Sequence, residues 1–253
     1  MTPGALAPVS FASKRLAGLF LLWGMGLLAA ILLSVFLHES GHGLGAKIDG
    51  IHVSTGFNKV GNPGKAPDEA DFRTNMPDGF WTGLLGPITT WGLAIVFTAW
   101  LYRFKAPSPG ALAAGMLALV NGLIRAIPMT EFLAYALTGR LHLEDEVGWS
   151  LWYALKFCHP ALASVDTATL VKTQAALFLA EPMFWAPPLL SLAISLVCLC
   201  LAYRQIYKLW RGAFALPALA PGLAWAFGLL PVGVYFVALP VLNSLDRLIR
   251  INW

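Results

Sequence analysis

His38-Glu39-Ser40-Gly41-His42 sets two imidazoles four residues apart, with a carboxylate directly after the first. Positions i and i+4 share one face of a helix, so both rings can reach a single Zn²⁺ while Glu39 stands beside the water that such an ion activates. The chemistry this permits is attack of water on a carbonyl, with His38 and His42 as metal ligands and Glu39 as the base. The pattern fixes only three positions, so its surroundings decide its weight. It closes an uncharged apolar run from Leu16 to Leu37, and ionisable groups at the end of a lipid-length helix are costly unless they are used. An interfacial histidine pair, bonded to its neighbours without metal, is the competing reading.

The elements that position this motif follow from composition. Of 253 residues, 58% are hydrophobic and 12% charged, about half the charge content of an ordinary soluble chain. Uncharged windows at 16–37, 79–102, 106–124, 182–203 and 212–245 are each at or near the roughly 20 residues that cross a bilayer as a helix. An all-α polytopic membrane protein of five to six spans is expected. The last window carries Pro217, Pro221, Pro231 and Pro240, so it reads either as one kinked helix or as two shorter segments. After the first span, Ile51 to Val60 is β-branched and broken by Gly56, which suits a short β-hairpin or strand pair. Lys65 to Asp78 reads as a surface loop. The whole chain reads as a single membrane-embedded domain, with its core at 16–150 and accessory spans at 180–245.

The net charge of +4 does not point to nucleic acid, because the basic residues form no stripe with interleaved aromatics. Lys14 and Arg15, then Arg103 and Lys105, then Arg204, Lys208 and Arg211 fall on one side of the alternating spans. The positive-inside rule makes that side cytoplasmic, with the N-terminus on it. Residues 38–78 and 129–181 then lie on the opposite face. The first run reads as a retained signal anchor, being longer than a typical signal-peptide core. Cys158, Cys198 and Cys200 form no disulfide framework and read as packing residues. Trp81, Trp100, Tyr102, Trp185, Tyr203 and Trp210 suit an aromatic belt at the bilayer interface.

A catalytic zinc takes three protein ligands and keeps one position open. By residue type alone the third could be Asp49, His52, Asp78, His142, Glu144, Asp145, Glu146 or His159. The acidic run 144–146 also suits a helix N-terminus, where carboxylates meet the positive end of the dipole. Gly41 and Gly45 would let another backbone approach the motif helix. Gly83, Gly86 and Pro87 could open the head of the second span. Asn121 and Arg125 are expensive in lipid and should face the bundle interior: Asn121 in a supporting or substrate-contacting role, Arg125 paired with Glu131 or the acidic run.

Taken together, these residues make the chain resemble the site-2-protease type of membrane-embedded zinc metalloproteases. The resemblance rests on His38 to His42 continuing into Gly43-Leu44-Gly45-Ala46, on Gly83-Leu84-Leu85-Gly86-Pro87-Ile88-Thr89-Thr90, and on Asn121 through Pro128 followed by the acidic run. It covers roughly residues 16–150. It implies a zinc peptidase in which a distant aspartate completes the metal site, which puts Asp145 first, ahead of Glu144 and His142. Gly86, Pro87 and Asn121 would support the site or contact substrate, and the partners would be the bilayer and a membrane protein or peptide substrate. Two features depart from the family pattern. Asp145 stands seventeen residues beyond Pro128 without the usual Asp-Gly pair, and Thr89 and Thr90 replace an asparagine after the Gly-Pro element.

Overall fold

The computed structural model describes residues 9–65, 79–165, 167–213, 221–246 and 248–253. Most of the loop read between Lys65 and Asp78, with the ligand candidate Asp78 itself, lies outside them. The chain folds as a bundle of long apolar helices joined to a three-stranded sheet. Among the described residues, five helices are long and apolar enough to cross a membrane, and the chain is a multi-pass membrane protein. In order these are α1 (Val9–Asp49), α2 (Phe80–Leu101), α3 (Pro109–Ala136), and then, after a run of short helices, α7 (Pro182–Ala213) and α8 (Pro221–Leu245). The short α-helices are α4 (Asp145–Tyr153), α5 (Thr167–Thr173) and α6 (Ala175–Leu179). The last apolar window is thus one helix from Pro221 onward, with Pro231 and Pro240 inside it.

Local chemistry sets the helix ends. Gly50, at φ 72°, closes α1 in the left-handed conformation that glycine adopts at least cost. There the Ile51 N–H bonds Ala46 O at 2.8 Å. Ser108 caps α3 by accepting from the Ala111 N–H at 3.1 Å, with Pro109 in the first turn, where a missing N–H is harmless. Gly79 gives α2 no side-chain cap. Asp49, the last residue of α1, takes over that task. Its Oδ2 accepts from the Thr82 N–H at 2.7 Å and from the Thr82 hydroxyl at 2.8 Å, so the end of one span fixes the start of the next.

Hydrophobic burial offers little to helix association inside lipid, where close packing and interhelical bonds dominate instead. The α1–α2 contact follows that rule. A Cβ at Gly41 would press on Leu85 O at 2.6 Å, and one at Gly45 would collide with the Trp81 carbonyl. The two helices therefore approach at glycine distance along the motif. α3 is the central helix, with 72% of its apolar window buried against 17% for α8.

The sheet has the order β2-β1-β3. β1 (Ser54–Thr55) pairs antiparallel with β2 (Val60–Gly61), giving the expected hairpin, and on its other side with β3 (Ile251–Asn252). The register sets Ser54 opposite Gly61 and Asn252, and Thr55 opposite Val60 and Ile251. This pairing constrains topology. A sheet shared by residues 54–61 and 251–252 calls for an even number of crossings between them, and the helices of spanning length among the described residues in that interval are four, α2, α3, α7 and α8.

Candidate metal centre

The motif lies wholly within α1, which runs past His42 to Asp49, so its two rings do share a face. Their Nε2 atoms are 3.1 Å apart and the ring planes are nearly perpendicular at 87°. His38, Glu39 and His42 are all buried. Asp145, the first residue of α4, brings its carboxylate to the same point. Its Oδ2 lies 2.9 Å from His38 Nε2 and its Oδ1 3.6 Å from His42 Nε2. Of the sequence candidates for a third ligand, Asp145 is the one that joins the two histidines among the described residues.

The outer nitrogens of the two rings are tied to α2. His42 Nδ1 meets the Thr82 backbone carbonyl, and His38 Nδ1 lies 2.8 Å from Thr90 Oγ1. The Thr90 hydroxyl is directed at Gly86 O, 3.3 Å away, so its lone pairs face His38. Both Nδ1 atoms are therefore assigned as the protonated ones from their partners. Both Nε2 lone pairs then point toward each other and toward a carboxylate. Such a donor set is satisfied by a cation, either a proton on one ring or a metal ion shared by all three groups. A tetrahedral ion with bonds of roughly 2.0 Å has ligand–ligand edges of about 3.3 Å; the two ring nitrogens stand 3.1 Å apart, and the Asp145 carboxylate reaches His38 through Oδ2 at 2.9 Å and His42 through Oδ1 at 3.6 Å, separations on that scale. The residues fit zinc.

Gly86 and Pro87 lie buried in the second turn of α2. A Cβ at Gly86 would run into the His42 ring, so the missing side chain is the space the imidazole occupies. Pro87 has no N–H for the Gly83 carbonyl, which loosens the helix beside the site. Asn121 is fully buried in α3, but it bonds Ser34 Oγ at 2.9 Å and Leu117 O at 2.8 Å. It joins α1 to α3 and is not among the residues that line the cavity. Arg125 does reach the site. One Nη1 lies 2.8 Å from Asp145 Oδ2 and 3.1 Å from Glu146 Oε2, which realises the expected pairing with the acidic run.

The other ligand candidates are engaged elsewhere. Asp49 caps α2, His52 lies 3.4 Å from Trp253 O, and His159 pairs with Glu181 at 3.1 Å. His142 and Glu144 form a separate group with Glu131. Glu146 is buried and accepts from Ser191. Burial, together with the neighbouring Asp145 carboxylate, pushes Glu144 up to about 7. Burial also disfavours charge on Asp145, but the nearby His42, His38 and Arg125 outweigh it and hold that carboxyl well below the usual range.

A cavity of about 630 Å³ opens on the three converging groups and on Glu39. Its walls include Asn58 and Val60 of the hairpin, Trp149 and Trp152 of α4, and Tyr235 of α8. Thr82 and Thr90 hold the rings in place, yet sequence reasoning gave them no role. The one signal for Thr90 was that Thr89 and Thr90 follow the Gly-Pro element, a place where the family this chain resembles commonly has an asparagine. Comparison of the chain with known protein families, with curated proteins and with solved structures finds no match.

Proposed function

We propose that this chain is a membrane-embedded zinc metalloprotease of the site-2-protease type, hydrolysing peptide bonds of transmembrane or membrane-associated proteins. The observation that carries the reading is the convergence of His38 Nε2, His42 Nε2 and the Asp145 carboxylate on one point, with both Nδ1 atoms committed to α2 and Glu39 on the same cavity. Zn²⁺ held by those three side chains would polarise a carbonyl and lower the pKa of bound water toward about 7. The Glu39 carboxylate takes the proton of the attacking water and delivers it to the leaving amine.

The helix bundle supplies the rest. Burial of His38, Glu39 and His42 limits bulk water at the reacting bond. β2 is an edge strand of the sheet and Val60 borders the cavity, so an extended peptide has a backbone edge to pair with beside the metal ligands. A substrate helix shields its own peptide bonds and must unwind first, which favours target spans that carry helix-breaking residues. With the basic residues assigned to the cytoplasm, the N-terminus is cytoplasmic and the site opens in the opposite half of the bilayer.

The test is cleavage of single-span membrane proteins in liposomes by the wild-type chain and by Glu39→Gln. Loss of the base is expected to reduce turnover by about 10²- to 10⁴-fold while zinc stays bound. Unchanged turnover in Glu39→Gln would refute the assignment of the base. Bound zinc without any peptide cleavage would shift the activity to a non-peptide substrate.

A further inference from the structure

We propose that Arg125 is the positioning residue of the metal centre, fixing the Asp145 carboxylate against the two histidines through a buried chain of bonds that ends on α2. The inference rests on the zinc reading of the site. His38 and His42 share one helix, but Asp145 arrives on a different element, at the first residue of α4 after the connection from α3. Nothing in the covalent chain fixes its distance from the rings.

The structure supplies that constraint from three helices. Arg125 rises from α3, 5% exposed. Its Nη1 reaches both Asp145 Oδ2, at 2.8 Å, and Glu146 Oε2, at 3.1 Å. Glu146, 2% exposed, accepts on its other oxygen from the Ser191 hydroxyl of α7. Ser191 in turn accepts from the Trp91 indole N–H of α2 at 3.0 Å. Trp91 directly follows Thr90, the residue that holds His38. Both sides of the metal centre are thus referred to neighbouring residues of one helix. Arg125 also engages the same Asp145 oxygen that faces His38, which sets the rotamer of that carboxylate before any ion arrives.

Charge and positioning make opposite predictions. A cation beside a cation site repels the incoming ion, so an electrostatic role means that losing Arg125 tightens zinc binding. A positioning role means that the loss weakens it, by the 10- to 100-fold typical of residues that orient metal ligands. Arg125→Met alone would strand Glu146 as a buried unpaired carboxylate, and that variant could fail to fold. The decisive variant therefore combines Arg125→Met with Glu146→Gln, which removes one charge of each sign and keeps an oxygen for Ser191.

Zinc affinity is measured by chelator competition on the full chain in detergent, with thermal unfolding as the folding control and the Co²⁺ spectrum as the coordination readout. The expected result is a folded double variant that binds zinc 10- to 100-fold more weakly, with an altered Co²⁺ spectrum and partial recovery in Arg125→Lys. Affinity within about twofold of wild type, or tighter, would overturn the positioning role while leaving the zinc reading intact. A wild-type chain that binds no zinc would overturn both.

Discussion

Glu131, His142 and Glu144 gather one imidazole and two carboxylates, much as His38, His42 and Asp145 gather two imidazoles and one carboxylate. In both groups the ligand-type atoms lie within 4.8 Å of one another. The surroundings differ. The side chains of Glu131 and His142 are 51% and 36% exposed, and the His142 ring is steadied by the face of Tyr135, 5.0 Å away and nearly parallel. His38 and His42 are buried, and each is oriented by a hydrogen-bonded Nδ1 from α2. Residue type alone does not separate the two groups. What separates them is whether the fold turns lone pairs inward and keeps them there, since a solvated carboxylate can satisfy itself with water.

The contrast can be broken most severely at Gly86, a residue with no functional group. Gly86→Ala should abolish zinc binding as completely as His42→Ala does, because the added methyl takes the space of the His42 ring. Gly148→Ala is the matched control: it borders the same cavity but its Cβ would meet nothing within 4 Å, and metal content should not change. A smaller effect is expected at Thr90. Thr90→Val keeps the shape but removes the acceptor of His38 Nδ1–H, and chelator competition should show zinc affinity lower by about 10- to 100-fold, with Thr90→Ser close to wild type. The smallest effect belongs to the exposed group. His142→Ala and Glu131→Gln should each leave zinc affinity within about twofold of wild type, and a tenfold loss in either would erase the distinction between the two clusters.

The spans were legible because hydropathy over about 20 residues directly reports what lipid requires. The third helix, Pro109–Ala136, runs on well past the uncharged window 106–124 that marks it. An uncharged window ends at Arg125, but the helix does not, since Asp145 and Glu146 pair with that guanidinium inside the bundle. The hairpin was visible in its β-branched run, whereas β3 was not. A two-residue strand that pairs across almost two hundred residues has no local pattern to read. Within the site, His38, Glu39 and His42 declare themselves by spacing on one helix. Asp145 could be ranked only through a resemblance, because its approach depends on how α4 docks. Thr82 serves through its backbone carbonyl, a group every residue carries, so its side-chain type said nothing.

The central claim concerns what surrounds the ion, and zinc K-edge X-ray absorption of the zinc-loaded protein reads that directly. The account predicts two imidazoles and oxygen ligands at roughly 2.0–2.2 Å, with the imidazole scattering reduced in His38→Ala and unchanged in His142→Ala. A spectrum with no imidazole, or one that loses imidazole on His142→Ala and not on His38→Ala, would contradict it.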